Sequence, residues 1–189
     1  MAAAVSCAVA GGLDKLIDRY ASAPMVDLDV RIVSTSEIFG GVDTLLADIT
    51  IADDGRYAAY IGGDAYVFDG NCIYEYSAEN NQAVKDCLGE GEIFENDLFF
   101  IKDLKKYYKI ADERDDSLYL LIRLNHKKDQ LPDTLHVAME KSRLNRIEYF
   151  DLNHDLNQVY FMSDTVYDAV DAKKFEVDFP DSTEIISMP

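Results

Sequence analysis

Hydrophobic and polar residues alternate over much of this chain, and strict alternation is typical of β-strands with one buried face. The alternation is clearest over residues 25–36 and returns over 42–51. Gly40 and Gly41 lie between the two segments and can form the turn that joins them. The pattern therefore predicts two long strands early in the chain.

Residues 57–85 predict a meander of short strands. Turn signals at Gly62-Gly63, Asp69-Gly70 and Glu79-Asn80 follow one another at intervals of about eight to ten residues. Such spacing is typical of an antiparallel meander that closes into a barrel or half-barrel. A sheet of this kind has a concave apolar surface, so the functional question is what that surface holds.

Helical periodicity appears in two places. Residues 12–23 predict an amphipathic helix that ends before Pro24, and 89–106 predict one or two short helices. Further strands are expected at 108–111, 118–124, 134–140, 146–152 and 158–163, with a short last strand at 175–179. The fold class expected is mainly β: an incomplete antiparallel β-barrel of about eleven strands, with the helices packed over its face or mouth, in one domain over 11–189.

Composition narrows the range of functions. The chain has 189 residues, 48% of them hydrophobic, and a net charge of −18 from 36 acidic and 18 basic residues. A nucleic-acid binder needs the opposite sign, and long-range attraction to an anionic membrane is disfavoured for the same reason. No run of 18 apolar residues occurs. We therefore expect an acidic, soluble, globular protein.

Residues 1–10 resemble the tail of a secretory signal peptide, since Ala8, Val9 and Ala10 form an A-x-A cleavage site. Cleavage there would remove Cys7 and leave Cys72 and Cys87, each seven residues from the Glu79-Asn80 turn. The two would face each other across the hairpin and could form a disulfide. A two-residue turn would make them a hydrogen-bonded pair, whose wider Cα spacing favours two free buried thiols instead. The sequence leaves both alternatives open.

Catalytic and metal-binding motifs are absent from the sequence. The three histidines, His126, His136 and His154, occur singly, without the spacing of a metal site. The segment from Asp151 resembles the start of a calcium loop but has Leu156 and Met162 where an EF-hand needs Gly and Glu. We interpret it as a hairpin loop, and we expect a protein that is not an enzyme and has no cofactor and no metal.

Tyrosine is abundant, with 12 residues, and five lie in the meander: Tyr57, Tyr60, Tyr66, Tyr74 and Tyr76. Alternating aromatic residues in strands often pack in a core or across strands. Some could instead line a cavity, where an apolar ring with a polar tip suits an amphiphilic ligand.

The order of these motifs resembles the LolA-type outer-membrane lipoprotein carrier family, over about residues 13–186. An amphipathic helix and two long strands come first, followed by DAYVFDGNCIYEYSAENNQAVK, which is similar to the family's strand, DG turn and polar hairpin. DLFFIKDLKKYY stands where the family has lid helices. The ending DAKKFEVDFPDSTEIIS has Asp171, Phe175, Val177, Phe179, Pro180, Ile185 and Ile186 in the family's places.

The resemblance implies an incomplete barrel of eleven strands with three helices as a lid. It also implies a periplasmic carrier, here expected to be a monomer, whose apolar inner surface takes up the acyl chains of lipoproteins. Such a carrier receives the lipoproteins from an inner-membrane ABC transporter and passes them to an outer-membrane acceptor. One departure concerns release: the family's Arg after the second strand aligns with Asp53, and Arg56 is not in register.

Strand alternation and this resemblance nominate the site. The cavity wall is expected to comprise Leu28, Val30, Ile32, Ala47, Ile49, Ile51 and Tyr57, and the lid Leu16, Phe99, Phe100 and Leu104. The carrier competes with two other hypotheses: an envelope module that binds another lipid, glycolipid or amphiphile, and an interaction or sensor domain with a filled core.

Overall fold

The computed structural model describes residues 11–36, 38, 40–89, 100–124 and 131–188. The first element is helix α1 (Gly12–Ser22), and a second short helix, α2 (Leu104–Tyr107), follows a 3-10 turn at Phe100–Asp103. The strands are β1 (Met25–Ser36), β2 (Gly41–Ala52), β3 (Tyr57–Ile61), β4 (Asp64–Phe68), β5 (Cys72–Ser77), β6 (Gln82–Cys87), β7 (Tyr108–Arg114), β8 (Leu118–Arg123), β9 (Thr134–Glu140), β10 (Arg143–Phe150), β11 (Leu156–Tyr167) and β12 (Glu184–Ser187).

All the strands belong to one sheet of twelve, in the order β12-β6-β5-β4-β3-β2-β1-β11-β10-β9-β8-β7. Neighbours are antiparallel except that β12 runs parallel to β6. Among the described strands β12 and β7 are the two edges, so the sheet is open. The prediction of a mainly β, incompletely closed antiparallel sheet is confirmed, with twelve strands in place of about eleven.

Helix α1 packs on one face of this sheet, called the inner face below. Its apolar positions recur at helical spacing, and Leu13, Leu16, Ile17 and Tyr20 are all buried. The same core contains residues of β1, β9 and β10, such as Val26, Leu135 and Leu144. The helix thus closes one part of the inner face with a solid core.

The opposite face, called the outer face, is crossed by the C-terminal segment. Phe175 is 1% exposed and packs with Met25, Ala52, Ala58 and Val67. Farther along, the Phe179 ring stacks on Tyr76 at 5.2 Å between centroids. We call residues 168–183 the C-terminal strap, because they lie over the sheet before β12 joins its edge.

The predicted last strand at 175–179 is therefore wrong. Residues Ala172–Phe175 form a 3-10 turn, and the true last strand, β12, lies farther on. Alternating apolar residues in a segment that lies flat on a sheet give the same sequence pattern as a strand within it. Burial of Phe175 explains the alternation here, since its side chain enters the outer core.

Several strands are longer than predicted because bulges interrupt their alternation. The β7–β8 register shifts between Ile110 and Asp112, and β7 continues to Arg114. A similar shift between Leu144 and Arg146 lies near the start of β10. A bulge adds one residue to a strand, so beyond it the positions that were buried in the sequence pattern become exposed and the reverse. The broken alternation then makes the rest of the strand resemble a loop in sequence.

Cys72 and Cys87 are direct cross-strand partners on β5 and β6 and are joined by a disulfide. The expected hydrogen-bonded pairing is wrong. Leu88 N donates to Asn71 O, and this bond flanks a non-hydrogen-bonded pair, whose Cα atoms lie only 4.0 Å apart. The short spacing brings the two thiols within bonding reach. Cys7 lies outside the described residues.

Candidate functional site

The inner face holds a cavity of about 210 Å³ beside the region that α1 fills. Its wall is almost entirely hydrocarbon, with one hydroxyl, that of Tyr149. Burial raises the pKa of this hydroxyl, and the nearby Asp151 carboxylate adds to the effect. The lining residues are Leu28, Val30, Ile32, Ile49, Ile61, Ile101, Ile147, Tyr149, Val159 and Phe161.

The residues nominated from sequence for the wall lie on this face in two groups. Leu28, Val30, Ile32 and Ile49 line the cavity itself. Ala47 and Ile51 are buried in the same core without lining it.

Tyr57 is the cross-strand partner of Ile51 and shares the inner face with it. The Tyr57 ring lies against Phe68, at 6.2 Å between centroids, away from the cavity lining. Burial, with a smaller contribution from Glu75, raises the pKa of Tyr57 to about 12.

The predicted lid residues lie over the inner face as far as they are described. Leu16 of α1 and Leu104 of α2 are buried in the inner core. Phe99 lies outside the described residues, and Phe100 begins the 3-10 turn that precedes α2. Ile101, one residue later, lines the cavity.

Sequence reasoning missed the half of the wall that comes from late strands. Ile147 and Tyr149 on β10, and Val159 and Phe161 on β11, face the cavity with Ile61 of β3. Their alternation was visible, but the pairing of β11 with β1 was not, since it joins residues more than a hundred positions apart. That pairing brings Phe161 beside Val30 and Val159 beside Ile32.

An ion-pair cluster fastens α1 to the sheet next to the cavity. The Asp164 side chain is 4% exposed and lies 3.1 Å from the Arg19 guanidinium of α1. Arg143 of β10 donates to the same carboxylate from Nε and Nη2, at 2.9 and 2.8 Å. We call Asp164, Arg19 and Arg143 the latch.

Tyr20 is buried beside the latch. Burial raises the pKa of its hydroxyl far above the usual range, and the Asp164 carboxylate reinforces the shift. Its neutral hydroxyl lies near the Asp164 carboxylate, which the two arginines of the latch also contact.

The second lid element is tied to α1 and also continues directly into the sheet at β7. Lys105 of α2 reaches Asp14 and Asp18 on α1, at 3.1 and 2.6 Å. Lys102 Nζ donates to Ala23 O at the end of α1. These contacts join the two lid elements, so they are expected to move together.

Two residues discussed for release control lie away from the latch. The Arg56 guanidinium pairs with Asp54 at 2.6 Å and lies over the Phe175 ring on the outer face. Asp53 is close to Lys102, whose pKa is lowered by burial and partly restored by Asp53.

None of the five meander tyrosines lines the inner cavity. Tyr74 and Tyr76 contact Phe179 of the C-terminal strap, and Tyr60 is 44% exposed. Tyr60 pairs with Asp48 on the outer face of β2. For Tyr74 and Tyr76 the packing interpretation holds.

A second concavity of about 280 Å³ lies on the outer face of β7–β10. Its lining includes charged residues, among them Arg114, Arg146 and Glu148. The inner cavity, whose wall is almost entirely hydrocarbon, is therefore the better site for a ligand that is wholly apolar.

Within the described ranges, no cluster of three or more histidine, cysteine or acidic side chains is arranged to hold a metal ion. None of the helices in that part of the chain is long and apolar enough to cross a membrane.

No protein-family model matches this sequence, and no curated protein matches it. Among solved structures, the chain is similar to an uncharacterized conserved protein from Thermus thermophilus, with 10% identity and a TM-score of 0.54, over 92% of this chain and 98% of the other. That match shows a shared fold.

The chain is also similar in structure to a LolA superfamily protein from Nitrosomonas europaea, with 8% identity and a TM-score of 0.46, over 89% of this chain and 99% of the other. A DUF1329 family protein from Desulfovibrio piger matches with 14% identity and a TM-score of 0.46, over 87% and 95% of the two chains.

Proposed function

We propose that this protein is a periplasmic carrier that shelters the acyl chains of lipoproteins in its inner cavity between the inner and outer membranes. The observation that carries the proposal is a hydrocarbon-lined cavity of about 210 Å³ between an open sheet and a helical lid. In this function the protein binds and releases its cargo and does no covalent chemistry.

The physical need for such a cavity follows from the hydrophobic effect. Each exposed methylene of an acyl chain costs about 0.8 kcal/mol in water, so a long chain needs matching apolar surface to become soluble. A carrier must also hide that surface when it is empty. Here Leu16, Ile101 and Leu104 of the lid pack in the core of the inner face.

The closed cavity is too small for the complete cargo. Sites for drug-sized ligands measure about 300–1,000 Å³, and two or three long acyl chains need more. Loading therefore requires α1 and α2 to move off the sheet, which replaces lid contacts with cargo contacts. Leu45 is exposed on the inner face, where it is the cross-strand partner of Ile32. It would extend the binding surface once the lid has moved.

The small volume favours a second candidate, an envelope module for a single-chain amphiphile that fits with little lid motion. Native mass spectrometry of the protein purified from cells separates the candidates. A bound lipoprotein supports the carrier, and a bound small amphiphile supports the second function. A protein that carries no ligand and also fails to bind fatty-acid probes contradicts both.

The site itself is tested by placing charge in the cavity. Ile49→Asp should abolish uptake of a fluorescent long-chain fatty acid, because an ionised carboxylate cannot be buried among acyl chains. Thr44→Asp is the matched control, since Thr44 is exposed on the outer face of the same strand. The Thr44→Asp protein should bind the probe normally.

Ile49→Phe is a second variant that separates loss of the site from loss of the fold, because it fills the cavity without adding charge. We expect it to keep a cooperative melt and to weaken probe binding. Full-strength binding by both folded variants would rule out this cavity as the site.

A further inference from the structure

The outer face of the sheet is covered unevenly. The C-terminal strap lies over β3–β5 and the Met25 end of β1, where Phe175 and Phe179 are packed. In the described part of the chain, no element covers the outer face of β7–β10 or the distal part of β1, β2 and β11. A solvent-facing sheet surface is normally polar, yet Leu46, Leu118 and Phe150 here are 61%, 52% and 55% exposed.

One cross-strand row on this surface alternates arginine with apolar residues. Each member is the direct register partner of the next, across six adjacent strands from β7 to β1, which is about 24 Å at the usual strand spacing. The row consists of Arg114, Leu118, Ala138, Arg146, Tyr160 and Arg31. We call it the arginine row, and Leu46 extends it onto β2.

The centre of the row is an aromatic ring between two cations. The guanidinium carbon of Arg31 lies 4.8 Å from the Tyr160 ring centroid, and that of Arg146 lies 5.8 Å from it. Stacking on a ring fixes the guanidinium plane while leaving its N–H groups free to donate. Within the described residues, Arg31 has no carboxylate at ion-pair distance.

The arginine row is positively charged, whereas the molecule as a whole is strongly acidic. Acidic residues outnumber basic ones two to one, 36 against 18, yet the row contains three arginines and no carboxylate. Arg114 and Arg146 do pair with Asp112 and Glu148 in the neighbouring row, at 3.3 and 3.7 Å. Exposed pairs of this kind contribute little and exchange readily for a better partner.

The row also borders a depression. Ala138 is the smallest member, and around it lies the groove of about 280 Å³ with Leu118, Leu120 and His136 in its lining. A bilayer presents a broad surface that cannot fill a groove, and the net charge of −18 opposes an anionic one. A protein segment can place an apolar side chain in the groove and carboxylates on the arginines.

We propose that the arginine row is a docking surface for an acidic segment of another protein, one that carries apolar side chains as well as carboxylates. Carboxylates would bind Arg31 and Arg146 on either side of Tyr160, and an apolar side chain would enter the groove beside Ala138. The surface lies on the opposite side of the sheet from the lid, so a partner bound there leaves the cavity mouth accessible.

The test uses a fluorescein-labelled peptide of repeated Glu-Glu-Leu-Phe units and fluorescence anisotropy with the intact protein. We expect binding that weakens with salt, and no binding of the same peptide with Gln in place of Glu. Arg31→Gln with Arg146→Gln should weaken binding about tenfold or more. Lys15→Gln with Lys141→Gln removes the same charge from exposed sites elsewhere and should change affinity little.

Three results would overturn the proposal. The first is no binding of the acidic peptide, and the second is equal affinity for the two double variants, each checked for a normal melt. The third is arginine-dependent flotation with phosphatidylglycerol vesicles in place of peptide binding, which would assign the surface to a membrane. Uptake of the fatty-acid probe is measured alongside, so failure of the cavity proposal is recorded separately.

Discussion

Two aspartates on the outer face illustrate how neighbours set the role of a side chain. Asp27 accepts hydrogen bonds from Thr50, Tyr167 and Lys174, at 2.7, 2.8 and 2.9 Å. Burial alone would raise its pKa, but these donors together hold the pKa below its usual value. Its contribution to stability is therefore present above pH 4 and is lost as the pH falls through the lowered pKa.

Asp48 has the opposite environment. It lies directly across from Asp29 on the neighbouring strand. Burial, together with the hydrogen bond and the charge of Asp29, raises the pKa of Asp48 above its usual 3.8. The folded state therefore binds a proton more readily than the unfolded state, and the stability that protonation provides is lost as the pH rises through the raised pKa.

We therefore predict that Asp48→Asn stabilises the protein at pH 7, by roughly 0.5 kcal/mol, since directly opposed like charges on paired strands are destabilising and solvent screens this exposed pair. The gain should shrink as the pH falls through the raised pKa of Asp48, because Asp48 then carries a proton. Urea denaturation at pH 7 and at pH 3.5 measures both values.

Asp43→Asn on the same strand removes one negative charge without touching Asp29 and serves as the control for net charge. A gain for Asp48→Asn that is the same at both pH values would contradict the argument from opposed charges.

At the scale of elements, the latch determines how easily α1 leaves the sheet. Asp164 is nearly fully buried, whereas Arg19 and Arg143 have side chains 43% and 56% exposed. Lifting α1 removes Arg19 from the carboxylate but leaves Arg143 in place, so the acid keeps a partner when the lid opens. The arrangement lowers the cost of opening relative to a buried pair that loses its only partner.

We predict that Arg19→Gln speeds amide hydrogen exchange in α1 and release of a bound fatty-acid probe. A double-mutant cycle of Arg19→Gln with Asp164→Asn should give a coupling of roughly 1–2 kcal/mol, between the values of surface and buried pairs.

Lys105→Gln, which breaks only the exposed contacts between α2 and α1, is the comparison variant and should have the smaller effect. Exchange in α1 that is unchanged by Arg19→Gln would show that apolar packing alone holds the lid.

The elements that could be predicted from sequence are those whose partners are close along the chain. The strands of residues 25–36 and 57–85, and the four buried positions of α1, follow from alternation and helical spacing. The β10 and β11 half of the cavity, with Ile147 and Phe161, depends on long-range pairing that alternation does not encode. Bulges at Asp29/Val30 and Ile110/Asp112 hide register in the same way.

At the scale of the whole molecule, the C-terminal strap joins regions that are distant in sequence. It begins after β11, is fixed by the Lys174–Asp27 ion pair and by Phe175, and ends with β12 beside β6. These contacts lie on the outer face, on the far side of the sheet from the cavity. Stability and cargo binding should therefore respond differently to changes in the strap.

We predict that Phe175→Ala lowers the free energy of unfolding by about 3–4 kcal/mol, because it leaves a cavity in the outer core. The affinity of the folded variant for the fatty-acid probe should stay within about twofold of the parent protein. Chemical denaturation and probe titration measure the two effects on the same sample.

Val177→Ala, at a half-buried neighbouring position, should cost less stability and is the graded control. A large loss of probe affinity in the folded Phe175→Ala protein would contradict the separation of the two faces.

The two edge strands, β7 and β12, affect the size of the ligand that the sheet can hold. A closed barrel has a girth set by its strand number and shear, and widening it means breaking backbone hydrogen bonds. Among the described strands the two edges are not paired with each other, so the curvature of the sheet can change without breaking backbone hydrogen bonds between strands. One protein could then accommodate guests of unequal bulk while every ladder between neighbouring strands stays intact.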